Sequence, residues 1–230
     1  MKIMTFNIQS GKNYPDINGT NLNYCTSVIR KYAPDIIGFN EVHDGGPWGL
    51  QTAEIAKILG YPYFYFAKAL QLFGSDYGNA IISKFPIKKA ETIIVPDPLV
   101  KDEDTYYETR CILCAEIEGV KVLVTHVGLA NSEKKNAVDT VLKTVGESPE
   151  KTVLLGDFNM HPDHPLLCKI NSVLSDSADY SKGSYFTYPS DVPEEKLDYI
   201  FVSADMTVKS VTVPPEIGSD HRAYLCEISF

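Results

Sequence analysis

Lys151-Thr152-Val153-Leu154-Leu155-Gly156-Asp157-Phe158-Asn159 is the stretch from which the rest of the chain can be read. Val153, Leu154 and Leu155 make a continuous apolar run, the pattern of a strand buried on both faces. The run stops at Gly156, a residue free to turn tightly, and Asp157 and Asn159 follow, two residues apart. A strand-to-turn cap would account for that pair, because Asp and Asn are ordinary turn residues. A strand that aims a carboxylate and a carboxamide past its own end would account for it as well. The other strand ends decide between the two.

Residues 2–8 form a β-rich run that ends on Asn7, and a polar loop with Gly11, Pro15 and Gly19 follows. From Asn21 onward, Leu22, Cys25, Ile29 and Tyr32 recur at helical spacing until Pro34 stops them. Residues 35–39 read as a buried strand running straight into Asn40-Glu41. A second helix is predicted over about 50–59, ended by Gly60 and Pro62, and an aromatic strand over 63–66, its rings read as core. A turn and strand follow over 77–83, another strand near 92–95, and an acidic surface loop with two prolines over 96–107.

Cys111, Leu113, Ala115 and Ile117 then alternate, and Glu118-Gly119 fits a two-residue hairpin turn. The returning strand puts Val120, Val122 and Val124 on one face, with His126 in phase with them. Val138, Val141, Leu142 and Val145 describe an amphipathic helix closed by Gly146. Beyond the opening strand come a short helix around 166–170 and a strand over 197–202, with Asp198, Ile200 and Val202 on one face. A carboxylate in phase with core residues is costly unless it is paired or bound to metal. One more strand is expected over 206–213, and Gly218-Ser219-Asp220-His221-Arg222 leads into the last. No linker, repeat or low-complexity segment interrupts the pattern, so a single domain spanning 1–230 is expected.

Composition narrows the function. With 44% hydrophobic and 22% charged residues in 230, the chain has ample material for a core. Its formal charge of -9 and lack of a basic stripe argue against tight duplex binding, which rests on Lys and Arg neutralising phosphates. The five cysteines lie mostly in apolar runs and are read as buried thiols, which points to a reducing compartment. Cys111 and Cys114 have metal spacing, but in an alternating strand they face opposite ways. With the first strand starting almost at Met1 and no run of membrane-spanning length, a cytoplasmic protein is expected.

The polar residues that close these elements are Asn7, Glu41, His126, Asp157, Asn159, Asp198, Asp220 and His221. Any one is an ordinary turn or core residue. Together they make a chemically coherent set. Glu41, Asp157 and Asp220, with the carboxamides of Asn7 and Asn159, offer hard oxygen ligands suited to Mg²⁺ or Mn²⁺. The histidines suit polarisation of a phosphate and orientation of water. There is no Gly-x-x-x-x-Gly-Lys loop and no Gly-x-Ser-x-Gly elbow. Metal-assisted hydrolysis is what remains.

The motifs Thr5-Phe6-Asn7-Ile8, Asn40-Glu41-Val42, Tyr77-Gly78-Asn79-Ala80-Ile81-Ile82-Ser83, Glu108-Thr109-Arg110, Thr125-His126, Gly156-Asp157-Phe158-Asn159, Leu197-Asp198-Tyr199 and Gly218-Ser219-Asp220-His221 occur in this order. In that series the chain resembles the endonuclease/exonuclease/phosphatase superfamily, with its deoxyribonuclease I-like fold. The resemblance implies an α+β protein, a four-layer α/β/β/α sandwich of two mixed β-sheets with outer helices. It implies Glu41 as the main metal ligand with Asn7 beside it and Asp220 in the metal shell. Asp157 and Asn159 would orient or deprotonate the attacking water, and Asp198 would hold His221. His221 and His126 would contact the scissile phosphate, with Arg110 and Asn79 as further substrate contacts.

Two departures bear on substrate. Asn40 stands where the family usually has Gln, and His43 stands where the DNA-repair branch has a lysine. The Thr187-Tyr188-Pro189 stretch is more similar to small bacterial members of the family. The leading expectation is therefore a Mg²⁺- or Mn²⁺-dependent phosphodiesterase or phosphomonoesterase on a small-molecule or lipid-linked phosphate, with no stable nucleic-acid partner. A nuclease of the same mechanism is the alternative, and a non-catalytic phosphate-binding module the third.

Overall fold

The structure, a computed structural model, describes residues 1–147, 149–180 and 182–230. Strands β1 (Lys2–Asn7), β2 (Lys12–Asn13) and β3 (Asp16–Thr20) lead into helix α1 (Leu22–Tyr32). After β4 (Ile36–Asp44) and α2 (Gln51–Leu59) come β5 (Tyr63–Leu72), β6 (Ser75–Ser83) and β7 (Ile87–Ile94). The hairpin of β8 (Cys111–Ile117) and β9 (Val120–His126) precedes α3 (Asn131–Val145), β10 (Thr152–Asp157), α4 (Pro165–Asn171) and β11 (Ser175–Asp176). The chain closes with β12 (Asp198–Val202), β13 (Thr207–Thr212) and β14 (Tyr224–Ser229).

Two six-stranded sheets result, ordered β13-β14-β1-β4-β6-β5 and β11-β12-β10-β9-β8-β7. Each is antiparallel except at its centre, where β1 pairs with β4 and β9 with β10 in parallel. Those parallel pairs are linked across α1 and α3, because parallel neighbours need a crossover to bring the chain back.

Strand alternation builds four layers. Ile3, Ile81, Val122, Val124, Val153, Leu155, Ile200 and Tyr224 fill the space between the sheets. Met4, Phe6, Ile37 and Phe39 point the other way onto Val28 and Ile29 of α1 and Ile55 of α2. On the far side, Leu123, Leu154, Tyr199 and Phe201 meet Val138 and Val141 of α3 and Leu167 of α4. This is why β10 reads as unbroken apolar sequence: Leu154 is buried under a helix, Val153 and Leu155 under a sheet. Full burial of each such side chain contributes about 1.5–3 kcal/mol. At Gly38 the sheets come so close that a Cβ would lie 2.3 Å from Leu155 Cδ1.

The α/β/β/α sandwich expected from the motifs is the observed architecture. The Asn21 side chain caps α1 by accepting from Asn23 N–H at 3.0 Å, and left-handed Ala33 ends it before Pro34. Glu118 and Gly119 both take positive φ, 51° and 76°, as the hairpin turn requires. Cys111 faces the inter-sheet core and Cys114 the α3 side, so the two thiols share no metal. Four expectations are corrected. Tyr63 and Phe64 of the aromatic strand are exposed rather than core, and Cys168 is an exposed thiol. Part of the loop after Asn7 is a hairpin, β2 with β3, and β4 does not end at Glu41 but continues to Asp44 through a bulge. Among the described residues no helix is long and apolar enough to cross a membrane.

Candidate active site

The ends of three strands of the second sheet are adjacent by register. Asp157 of β10 pairs with His126 of β9 on one side and with Asp198 of β12 on the other. Parity directs all three side chains inward: His126 follows Val122 and Val124, Asp157 follows Val153 and Leu155, and Asp198 precedes Ile200 and Val202. Asn7 does the same at the end of β1, in line with Ile3. The inter-sheet space thus changes from apolar core to polar cleft at one open edge. Gly156 makes the geometry possible. Its φ is +144°, and a Cβ there would lie 1.8 Å from the Thr125 carbonyl oxygen.

Glu41 reaches the same place by a different device. Phe39 pairs with Ala80 and Val42 with Gly78, so an extra residue bulges out of β4, and Glu41 takes φ 58°. Without that bulge, alternation would send Glu41 toward the helices.

A hydrogen-bond network then fixes the carboxylates. Asp157 Oδ2 accepts from Asn7 Nδ2 at 3.0 Å, and Oδ1 accepts from Asn159 N–H at 2.9 Å. Asn7 Nδ2 also donates to Glu41 Oε1 at 3.0 Å, while its Oδ1 accepts from Gln9 N–H at 3.1 Å. Asn7 therefore turns donors, not its oxygen, toward both carboxylates. Two imidazoles flank the same Asp157 Oδ2, His126 Nε2 at 3.7 Å and His221 Nε2 at 3.6 Å. His221 Nδ1 donates to Asp198 Oδ2 at 2.8 Å; Asp198 is fully buried and its Oδ1 has no partner among the described residues. Asn159 Nδ2 donates to the Val127 carbonyl at 2.9 Å beside His126.

Burial and charge set opposite tendencies on these groups. Desolvation alone would lower His221, but the Asp198 and Asp157 carboxylates overcome it and raise the imidazole to about 10. His126 is driven well below its ordinary value by burial and by the Arg110 guanidinium. Burial lifts Asp157 to about 7, with His221 opposing the rise and Asp198 adding to it. Glu41 is raised by burial and then by the charge of Asp220, which lines the same cleft. Asp157, Asp198 and His221 also bring one donor atom each within 4.8 Å of the others, a spacing that fits a metal ion.

The cleft holds about 360 Å³, and its lining includes Glu41, His126, Asp157, Asn159, Asp220 and His221. Arg110 lines it as well, but its Nη1 is bound to Glu108 Oε2 at 2.8 Å and to His126 Nδ1 at 3.0 Å. Asn79 does not line it. That residue is buried beneath, accepting from Asn40 Nδ2 at 2.8 Å and donating to the Cys111 carbonyl at 2.9 Å. The expectation of a substrate contact at Asn79 is thus corrected: it faces the inter-sheet layer as the site residues do, but from the middle of β6 rather than from a strand end. His43, at the place of the repair-branch lysine, is buried and stacked on Trp48 with ring centroids 4.3 Å apart.

Sequence reading missed Tyr106, Leu129, Tyr188 and Glu108, which also border the cleft. Glu108 and Tyr188 belong to the Glu108-Thr109-Arg110 and Thr187-Tyr188-Pro189 motifs, whereas Tyr106 and Leu129 carry no signal beyond proximity to Arg110 and His126. A larger groove of about 570 Å³ between β7 and α3, lined by residues such as Ile94 and Lys143, holds none of the candidate residues.

The description "Endonuclease/Exonuclease/phosphatase family" belongs to the family model that matches residues 4–221. Among solved structures, an endonuclease/exonuclease/phosphatase family protein from Leptotrichia buccalis is similar at 23% identity and TM-score 0.78, with 100% of each chain covered. A mannosyl-6-phosphatase from Bacteroides thetaiotaomicron is similar at 19% identity and TM-score 0.78, again over 100% of both chains. TDP2 from D. rerio, in complex with a single-strand DNA product, is similar at 17% identity and TM-score 0.70, over 100% of this chain and 99% of that one. At these identities the likeness is one of fold. No curated protein matches the chain.

Proposed function

The chain belongs to the endonuclease/exonuclease/phosphatase family, and from that premise we propose that it is a Mg²⁺- or Mn²⁺-dependent phosphoester hydrolase acting on a small-molecule or lipid-linked phosphate. The observation that carries this reading is the convergence of Asn7, His126 and His221 on Asp157 Oδ2, in a cleft bordered by Glu41 and Asp220. Asp157, with a proton affinity raised into the neutral range, takes a proton from the attacking water, and Asn159 beside it orients that water. Asp198 fixes His221 as a cation whose Nε2–H faces the cleft, where negative charge grows on the phosphoryl oxygens.

Glu41 and Asp220 fit a hard divalent cation. They are oxygen donors in mutual repulsion, and Asn7 steadies Glu41 by donating to it. When bound there, the cation would neutralise phosphate charge. The Asp157, Asp198 and His221 group suits a metal less well, because Asp198 Oδ2 and Asp157 Oδ2 already accept from His221 and Asn7.

The cleft also supports a small substrate over a polynucleotide. Among the described residues Arg110 is its one Lys or Arg, and that guanidinium is held by Glu108. A track of phosphates needs a row of such cations. At the rim, Tyr106 and Leu129 expose apolar surface suited to an uncharged leaving group. A nuclease of the same mechanism is the second reading, and the fold likeness to TDP2 is what favours it. Bis-(p-nitrophenyl) phosphate and a panel of phosphomonoesters and diesters, incubated with Mg²⁺ or Mn²⁺, test the proposal. Turnover of small esters without nicking of plasmid or abasic DNA is expected. If every small ester stays intact, the proposal fails.

A further inference from the structure

The two histidines of the cleft are held by partners of opposite kind. His221 Nδ1 meets a carboxylate, whereas His126 Nδ1 meets Arg110 Nη1 at 3.0 Å. A guanidinium is always charged and only donates. The ring nitrogen opposite it must therefore offer its lone pair, and the imidazole proton must sit on Nε2. Protonating Nδ1 would set one N–H against another and a cation against a cation, inside a site where both side chains are about nine-tenths buried.

The surroundings hold Arg110 in place for this. Nη1 pairs ionically with Glu108 Oε2 at 2.8 Å, which anchors the guanidinium beside His126 Nδ1. On the other side of the ring, Asn159 Nδ2 lies 3.3 Å from His126 Nε2, but that amide donates to the Val127 carbonyl at 2.9 Å. The amide's second hydrogen bears on Nε2, so two donors compete for the one lone pair of a neutral imidazole. The shorter, charged contact from Arg110 claims it at Nδ1, and the proton stays on Nε2.

We infer that Arg110 is a positioning residue: it locks His126 as the neutral Nε2–H tautomer, so that His126 serves as a fixed uncharged donor to the phosphoryl group while His221 supplies the positive charge. Arg110 thereby acts through His126, and the substrate contact expected of it is indirect. The low basicity of His126 agrees with the lock. The inference rests on the reading of this cleft as a phosphoester site, but its first test does not.

Nitrogen-15 NMR of the metal-free wild-type protein at neutral pH reads the tautomer directly, with the His126 resonances assigned by their loss in His126→Gln. Expected are an unprotonated Nδ1 and a protonated Nε2. A protonated Nδ1, or a doubly protonated ring, overturns the lock whatever the protein hydrolyses. In Arg110→Met the tautomer preference is expected to disappear, and kcat to fall by at least about tenfold with KM little changed. Arg110→Lys keeps a donor at this place and is expected to restore much of both. An Arg110→Met protein with the wild-type tautomer and a raised KM would instead make Arg110 a substrate contact. Absence of hydrolysis in every variant alongside the expected wild-type spectrum would count against the proposed function and leave the lock standing.

Discussion

Asn40 of the first sheet accepts a hydrogen bond from the backbone N–H of Asp157 in the second, at 2.9 Å. The residue central to the cleft is thus fastened by the opposite sheet. Asn40 Nδ2 also donates to the Thr125 carbonyl and to Asn79 Oδ1, both at 2.8 Å, so one carboxamide joins β4, β6, β9 and β10. Asn40→Leu would leave an N–H, a carbonyl and an amide oxygen unpaired in a dry interior. Each orphan costs about 1–3 kcal/mol, and a net loss of at least about 2 kcal/mol is expected after relaxation. Urea unfolding measures it; a loss below about half a kcal/mol would mean the bridge does not hold the sheets.

The acid and base assignments give a pH profile. Asp157 must be ionised to accept a proton, and its value is raised to about 7, so kcat/KM is expected to rise through that pH. His221 must stay protonated, and its value is raised to about 10, so activity is expected to fall there. In Asp198→Asn the carboxylate that holds the His221 proton is gone, and the alkaline limb should move to lower pH. Folding shares this dependence. His221 sits above its ordinary 6.5, so the stability it contributes is complete below 6.5 and is lost as pH rises through about 10. An alkaline limb at the same pH in wild type and Asp198→Asn would separate His221 from that limb.

Much of this site is legible in the sequence because alternation carries the information. His126, Asp157 and Asp198 each continue an inward-facing apolar series to a strand end, and Asn7 does so at the end of β1. Parity alone does not separate Asn79 from them: it shares their inward face, but it sits in the middle of β6 beneath the cleft instead of at a strand end. The continuation of β4 past Glu41 depends on a bulge, and period-two reasoning contains no term for an inserted residue. Tyr106 and Leu129 come from irregular segments, where neither period applies and only the folded sheets decide what borders the cleft.

Glu41 separates metal binding from folding. Burial and Asp220 both disfavour its charge, so Glu41→Gln removes a repulsion, and the metal-free variant is expected to melt no lower than wild type. A cation at a hundred times its dissociation constant stabilises a protein by about 2.7 kcal/mol, roughly 5–10 °C at this chain length. That rise with Mn²⁺ or Mg²⁺ is expected in wild type and should be largely lost in Glu41→Gln and in Asp220→Asn. A response of full size in both variants would move the cation away from this pair, toward the Asp157, Asp198 and His221 group.

Gly156 tests whether the site depends on the backbone that presents it. The φ of +144° is one that side-chain-bearing residues rarely adopt, and an added Cβ would fall 1.8 Å from the Thr125 carbonyl oxygen and 3.2 Å from its nitrogen. Neither atom can move freely, because Thr125 is held in the β9–β10 ladder and its carbonyl accepts from Asn40. Gly156→Ala is therefore expected to cost about 3 kcal/mol or more, or to prevent recovery of folded protein. Gly146→Ala is the matched control: its φ is +83°, but no atom lies within 4 Å of the added carbon. It should carry only the backbone penalty of that conformation, about 1–3 kcal/mol. Thermal melts of the pair distinguish the contributions. Equal losses in the two would mean that β10 relaxes away from Thr125, and Asp157 would then be held by its side-chain partners rather than by the strand beneath it.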